Sequence, residues 1–321
     1  MARRFTRVIT TPAAARIPRE WNRPFVSLLS DWGLRDPSPA ICHGVILGIA
    51  PEALIVDISH EVDKYNITHG ALLLWCALPF LPIGAHVAVV DPGVGSARRA
   101  VALETARGDY LIGPDNGLLL PGAGRLGGVV RAHRIENPQY RLPVVSSTFH
   151  GRDLFAPAAA HLAMGVPLEH IGPPTDPASL AILDWAPVRA RDGELETSVL
   201  YVDTFGNAKL SGLAGDLHTS IGQLERGTQL SLRPALGRGR PRTITWSSTF
   251  SDVAVGEPLL YEDSYGRLSI AANQASAAEA LRLEDGLTLI IRRTELGPST
   301  GDGGGAAAGD GAERGTVQPA E

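Results

Sequence analysis

The run DPGVGSARR, Asp91 to Arg99, sets a carboxylate, a backbone rich in glycine and proline, and two guanidinium groups in one short stretch. It follows the apolar run AHVAVV, so Asp91 stands where a buried strand ends. Loops after strand ends are where α/β sheets bind ligands. A surface turn closed by a salt bridge is the ordinary alternative, because Asp, Pro and Gly are common turn residues. Other clusters share the placement. SDWGLRD puts Asp31 at the end of the first predicted strand and Asp36 five residues on, where it could also start the following helix. A carboxylate in the position of Asp31 can accept hydrogen bonds from a ribose diol. DISHEVDKYNITHG carries His60 after a second strand and Tyr65 in a polar loop, where an aromatic face could stack on a base. GPDNGLL contributes Asp115 and Asn116 in a common turn pattern. SSTFHGRDLFAP places His150, the side-chain type best suited to exchange a proton near neutral pH, just before a helix. Arg152 and Asp153 in the same run read as a salt bridge at the helix start. Late in the chain, VDTFGN and EDSYGR each join acids or amides to an aromatic and a glycine. Both fit hairpin turns, and both would suit a small, charged, aromatic ligand.

The elements that must hold these groups change character along the chain. From residue 24 to about 185, strand-like runs (PFVSLLS, ALIVDIS, AHVAVVD) alternate with helix-like ones (SPAICHGVILGIA, NITHGALLLWCAL, GRDLFAPAAAHLAMG). Asn66 is a good N-cap, and AVALETA with DYLIGPD predicts a strand pair. This order predicts an α/β domain with a mostly parallel central sheet. Pro173 to Gly193 reads as a linker. From 186 to 295, short strand-like runs separated by turn signals predict an all-β barrel or sandwich. Residues 1–23 are expected to form a flexible tail, and 296–321, low in complexity, a disordered one.

Composition narrows the classes of function. Hydrophobic residues make up 44% of 321, enough for a sizeable core, and the net charge of −5 argues against nonspecific nucleic-acid binding. Cys42 and Cys76 sit in apolar contexts with no disulfide framework and no CxxC. The N-terminus lacks the apolar core of a secretory signal, and the longest apolar run is broken by Pro79, Pro82 and Gly84. A cytoplasmic protein that does not span a membrane is the expectation.

Taken in order, SDWGLRD, DISHEV, DPGVGSARR, GPDNGLL, TFHGRDLFAP, VDTFGN and SYGRLSIAANQ resemble the S-adenosyl-L-methionine (SAM) hydroxide adenosyltransferases, relatives of the fluorinase and chlorinase. The resemblance spans roughly residues 24 to 293. It implies an N-terminal α/β domain, a C-terminal β-barrel, and a homotrimer with active sites between the N-terminal domain of one subunit and the barrel of its neighbour. It implies hydrolysis of SAM to adenosine and L-methionine, with SAM as substrate and no cofactor. The family's catalytic Asp, Arg and His fall on Asp91, Arg98 and His150, with Arg99 the adjacent alternative to Arg98. The resemblance assigns Asp31 to the ribose hydroxyls and Tyr65 to the nucleoside. Asp36 and Asp203 would take the methionine ammonium, Asn207 and Phe205 the adenine, and Ser264 the methionine carboxylate. Gly151 stands where the fluorinase has a fluoride-holding serine, and Asp91 where the halogenases lack an acid. Trp32 replaces the phenylalanine usual in the hydrolases.

Three other readings stay open at this point. One is a SAM-dependent halogenase. A second is a non-catalytic SAM- or nucleoside-binding protein. The third is a metal-dependent hydrolase using Asp31, Asp91, His150 and Asp153, against which stands the arginine beside Asp91.

Overall fold

The computed structural model describes residues 23–184, 188–236 and 240–294. Apart from Arg23, both expected tails lie outside the described residues.

The N-terminal sheet contains β1 (Phe25–Ser30), β2 (Leu54–Ser59), β3 (Ala85–Val89), β4 (Ala100–Thr105), β5 (Tyr110–Pro114) and β6 (Val129–Arg134). Their order is β2-β1-β3-β5-β4-β6. The first four in that order are parallel, and β4 runs antiparallel to both of its neighbours. Strands β1 and β3 are buried along their whole length. Both are mostly apolar, as parallel strands covered on both faces are, and carry Ser27, Ser30 and His86 as their buried polar residues. One face is covered by α1 (Ser38–Ile49) and the helix over Ala156–Ala163, through Cys42, Ile46, Ala159 and Leu162. The other is covered by α2 (Ile67–Ala77) and α3 (Leu120–Arg125), through Ala71, Leu74 and Ala123. Asn66 caps α2 as expected, its side chain accepting from the His69 N–H at 2.9 Å. The helix at Ala156–Ala163 is α4, followed by the short α5 (Leu168–Ile171).

The barrel is built from β7 (Arg189–Arg191), β8 (Glu194–Val202), β9 (Ala208–Leu213), β10 (Gln229–Pro234), β11 (Arg242–Trp246), β12 (Pro258–Glu262), β13 (Arg267–Ala272) and β14 (Thr288–Arg293). The order β14-β10-β11-β12-β13-β9-β8 closes on itself where β8 pairs antiparallel with β14, Thr288 opposite Ser198. Closure removes exposed sheet edges and decides for the barrel over the sandwich. Strand β7 pairs with the start of β8, beside the ring. Helices α6 (Ala214–Ile221) and α7 (Ala277–Leu281) contribute Leu217, Ile221 and Ala277 to the barrel core.

The stretch expected as a linker is partly integrated into the first sheet. Leu180 is buried in the core under α2 and α3, and the Ala181 N–H donates to Asp115 Oδ1 at 2.8 Å. The two units meet through α2. Trp75, Leu72 and Cys76 form an apolar cluster with Leu200, and His69 stacks on Tyr201 at 4.2 Å. Guanidinium groups of Arg125 and Arg267 lie 4.1 and 4.3 Å from the Trp75 ring centroid. Among the described residues, no helix is long and apolar enough to cross a membrane.

One polar network lies inside the first sheet. Ser27 Oγ is 2.7 Å from His86 Nδ1, and His86 Nε2 is 3.1 Å from Asp109 Oδ1. Burial lowers the His86 pKa, so the ring is neutral there. All three residues are fully buried, which makes this Ser–His–Asp chain a strut for β1, β3 and β5.

Candidate active site

The strand order creates the crevice. The connection leaving β1 runs to β2 on one side, and the chain leaving β3 runs on towards β5 and β4 on the other. Such a switch point leaves a gap at the carboxyl ends of two neighbouring parallel strands, where ligands bind. Ser30 and Val89 are partners in register, so Asp31 and Asp91 follow on the two lips of that gap.

On the β3 lip, Arg98 Nε lies 3.0 Å from both oxygens of Asp91, and Arg98 Nη2 makes a further bond to Asp91 Oδ2. The same Nη2 lies 2.7 Å from His150 Nδ1. Both members of the ion pair are shielded, with side chains 5% and 10% exposed. Arg99, the alternative, is committed elsewhere. It binds Asp115 at 2.6 Å and Ser179 Oγ at 2.9 Å. The loop can make this approach because of Gly95. Its φ is +78°, and a Cβ there would run into the carbonyl oxygen of Ser147. Close contact between the two loops brings His150 to Arg98.

The tautomer of His150 follows from its partner. Arginine only donates, so Nδ1 accepts and the neutral ring carries its proton on Nε2. Burial first, and then the charge of Arg98, lower the His150 pKa. In this arrangement Nε2–H is a donor, and His150 can hold a water or ligand oxygen without acting as its base.

On the β1 lip, Asp31 Oδ2 accepts the Tyr65 N–H at 3.0 Å, and Lys64 Nζ bonds to the Asp31 carbonyl. Tyr65 has φ +65°, a left-handed conformation unusual for a side-chain-bearing residue. Its ring is 71% exposed. Asp31 thus holds a strained turn that presents an aromatic face. Trp32 connects the two lips. Its ring packs edge-on against Phe149, with centroids 5.5 Å apart. A Cβ on Gly151 would lie 2.5 Å from Trp32 Cζ2 and 2.6 Å from Cη2. The indole edge therefore fills the space a side chain at 151 would need. Residues Gly151–Phe155 form a π-helical turn before α4 rather than the start of a regular α-helix. Such turns concentrate at functional sites, and this one follows His150 directly.

The remaining candidates divide between helix start and barrel. Asp36 is exposed and accepts from the Ser38 N–H at 2.9 Å and from the Ser38 hydroxyl, at the entry to α1. Those bonds lower its pKa, the hydroxyl's first. Asp203 Oδ1 accepts the N–H groups of Phe205 and Asn207, each at 2.9 Å, and Oδ2 accepts from the Asn207 amide at 3.0 Å. The Asn207 side chain is thereby oriented with its carbonyl oxygen and one N–H still to offer. Phe205 is 78% exposed. Ser264 is exposed on a second turn of the same design, where Asp263 Oδ1 accepts the N–H groups of Tyr265 at 2.9 Å and Arg267 at 3.0 Å. That turn docks on its own subunit, Tyr265 lying 6.4 Å from Phe80 and Asp263 pairing with Lys209 at 2.7 Å. Among the described residues, no hydrogen bond or ion pair joins Asp203, Phe205, Asn207 or Ser264 to the Asp91–Arg98–His150 group. The candidates for metal ligation do not converge either. Asp91 is held by Arg98, and Asp153, fully buried, is held by Arg152 at 2.6 Å and by the Ser146 N–H at 2.8 Å. The bond from Lys64 and the Trp32–Gly151 contact have no signal in residue type or spacing.

Residues 26–172 match the SAM hydroxide adenosyltransferase N-terminal domain, and residues 197–290 match the C-terminal domain of the same family. The chain belongs to the SAM hydroxide adenosyltransferase family. It is 42% identical over 268 residues to the (R)-S-adenosyl-L-methionine hydrolase of Salinispora tropica, covering 84% of this chain and 97% of that one. The hydrolase of the same name from Thermus thermophilus is 41% identical over 274 residues, covering 83% and 98%. A fluorinase from Actinopolyspora mzabensis is more distant, at 29% over 303 residues, covering 85% and 99%. A solved structure of an uncharacterized conserved protein from Thermotoga maritima superposes with a TM-score of 0.77 at 34% identity, covering 84% of this chain and all of that one. In this member of the family, the crevice between β1 and β3 is lined by Asp31 on one lip and by the Asp91–Arg98–His150 set on the other.

Proposed function

We propose that the protein hydrolyses SAM to adenosine and L-methionine by attack of water on the ribose C5′. The observation that carries this reading is the hydrogen-bonded set Asp91–Arg98–His150 on one lip of the crevice, with Asp31 on the other. In the reaction, a C–O bond forms at C5′ as the C–S bond breaks, and the sulfonium takes the bonding pair and leaves as the neutral thioether of methionine. Water contributes its oxygen to adenosine, and one proton is released overall. The leaving group needs no acid. The demand falls on the nucleophile, which must be held in line behind C5′ and stabilised as it develops hydroxide character. Asp91 accepts a hydrogen bond from the water, and His150 donates from Nε2–H to its oxygen. Arg98 holds the Asp91 carboxylate in place through bonds to both of its oxygens. Asp91 is the acceptor for the leaving proton in this scheme, since His150 already carries its own on Nε2.

On the same reading, Asp31 holds the ribose hydroxyls and Tyr65 lies on the nucleoside. Asp36 and Asp203 take the ammonium, Asn207 and Phe205 the adenine, and Ser264 the carboxylate of the substrate. The relatives' name makes the (R) epimer at sulfur the substrate to test first. The exposed Phe205 turn supports a homotrimer in which a neighbour's barrel completes each site. We also place the protein in the cytoplasm, with no cofactor, and divide it into an α/β domain at 24–185 and a barrel domain at 186–295. Incubation of the purified protein with SAM, with products separated by chromatography, tests the activity. Adenosine and methionine in equal amounts are expected. Asp91→Ala should abolish turnover while still binding adenosine, and normal turnover by that variant would refute the role of Asp91. Formation of 5′-chloro-5′-deoxyadenosine in high chloride would move the assignment to a halogenase.

A further inference from the structure

His43 on α1, Asp57 in β2 and His60 just after β2 come together at the edge of the first sheet. Their potential ligand atoms all lie within 4.8 Å of one another. His43 Nε2 is 2.8 Å from Asp57 Oδ1, and His60 Nε2 is 3.0 Å from the same oxygen. His60 is only 3% exposed, and its Nε2 is a buried atom with no hydrogen-bond partner. Its other nitrogen, Nδ1, sits 2.7 Å from Ser30 Oγ. With Nδ1–H donating to Ser30, the Nε2 lone pair faces a carboxylate oxygen. In that tautomer the two lone pairs face each other, and a cation bound by both removes the repulsion.

We propose that His43 Nε2, Asp57 Oδ1 and His60 Nε2 form a binding site for one divalent transition-metal ion of the zinc class. Two imidazoles and one carboxylate are the donors such ions take, whereas calcium and magnesium prefer oxygen alone. The bond from His60 Nδ1 to Ser30 is the kind of outer contact that fixes a metal-binding imidazole in the right tautomer. His43 and Asp57 side chains are 31% and 37% exposed, so an ion reaches the site from solvent while His60 anchors it from within. Three protein donors leave a coordination position for water. The ion clamps α1 to the end of β2. It also fixes the imidazole stacked behind Trp32, whose ring lies 6.1 Å from His60 at an interplanar angle of 7°. The site is separate from the Asp91–Arg98–His150 group, and it stands whether or not SAM is the substrate.

The test is equilibrium dialysis of the untagged full-length protein, first stripped with a chelator and then exposed to Zn²⁺. One ion per chain is expected for the wild type. His43→Ala and Asp57→Asn, both at half-exposed positions, should each weaken binding by at least about 10-fold. Co²⁺ is the second probe: the wild type should show the visible absorption of a low-coordinate Co²⁺ centre, and the variants should lose it. Absence of stoichiometric uptake by the wild type overturns the proposal and leaves a histidine–carboxylate cluster without a metal. Uptake unchanged in both variants overturns it equally.

Discussion

Gly151→Ala tests how tightly the indole of Trp32 closes the floor beneath His150. Gly151 lies in the π-helical turn and is not in the left-handed region, so alanine suits its backbone. On propensity alone the change should stabilise by up to about 1 kcal/mol. Space opposes it. The new Cβ would lie 2.5 and 2.6 Å from two ring carbons of Trp32. That ring cannot swing away freely, because Phe149 packs perpendicular to it and His60 stacks on it. Overpacking of this kind costs about 1–3 kcal/mol, so the net effect should be destabilising. Trp32→Phe shortens the side chain and removes the two clashing carbons. In that background, Gly151→Ala should be neutral or stabilising. The cycle of four proteins should therefore show a coupling of about 1–3 kcal/mol, within the range for residues in contact. Thermal unfolding reads this as a fall of about 2–10 °C for Gly151→Ala in the wild type, and no fall when Phe occupies position 32. Equal destabilisation in both backgrounds, or a stabilised single variant, would show that Trp32 does not close this space. Serine, larger than alanine, should behave in the same way and more strongly.

The pH dependence of kcat/KM should show an acid limb below about 6.5, the ordinary histidine value. His150 is pushed below that value by burial and by Arg98, and its neutral form is the one that accepts from Arg98, so activity falls as pH drops through the lowered pKa. A limb above that value would contradict the tautomer assigned here. Asp109 should contribute to acid stability. Burial alone would raise its pKa, but hydrogen bonds from Arg107 and His86 more than offset this and bring it to about 2. A carboxylate with a lowered pKa stabilises the fold above its unfolded value near 4, and that stability is lost as pH falls towards 2. Asp109→Asn should cost about 2 kcal/mol in urea unfolding at pH 6 and progressively less towards pH 3, and an equal cost at both pH values would refute the charge-based account. Phe205→Ala and Asn207→Ala should raise KM for SAM by 10-fold or more while leaving the melting temperature within about 2 °C, since Phe205 is exposed and Asp203 still holds the turn backbone. Unchanged KM in both variants would remove this turn from the binding site.

The strand ends were the legible part of the site. Asp31 and Asp91 follow short apolar runs flanked by turn residues, and the runs that located β1 and β3 located the carboxylates as well. Strand order was not legible in the apolar pattern, and it is the order that turns two separate strand ends into one crevice. Arg98 and Arg99 were nearly equivalent as letters. Their separation depends on Asp115 and Ser179, 16 and 80 residues away from Arg99, drawing it off to the other side. In the barrel, β9 and α6 escaped notice because AKLSGL and AGDLHTSI are short and mix small with polar residues. Their apolar positions acquire meaning only against the closed ring. The stretch Pro173 to Gly193 hides its attachment for a related reason: one leucine, Leu180, is enough to tie part of a proline-rich segment to the core. The cluster of His43, Asp57 and His60 left no trace in spacing, since a helix, a strand and a loop supply one residue each.

The twin turns at Asp203 and Asp263 give this protein an internal control. Each aspartate accepts the N–H groups two and four residues ahead, and each turn ends on a glycine at φ +81° or +82°. The backbone is thus solved twice with one template, once exposed and once docked against α2 and Phe80. Substituting the aromatic residue in each turn separates two quantities that a single mutation confounds. Damage common to both copies measures the energetics of the turn. Damage confined to the Phe205 copy measures what that surface meets in solution, whether nucleoside or neighbouring subunit.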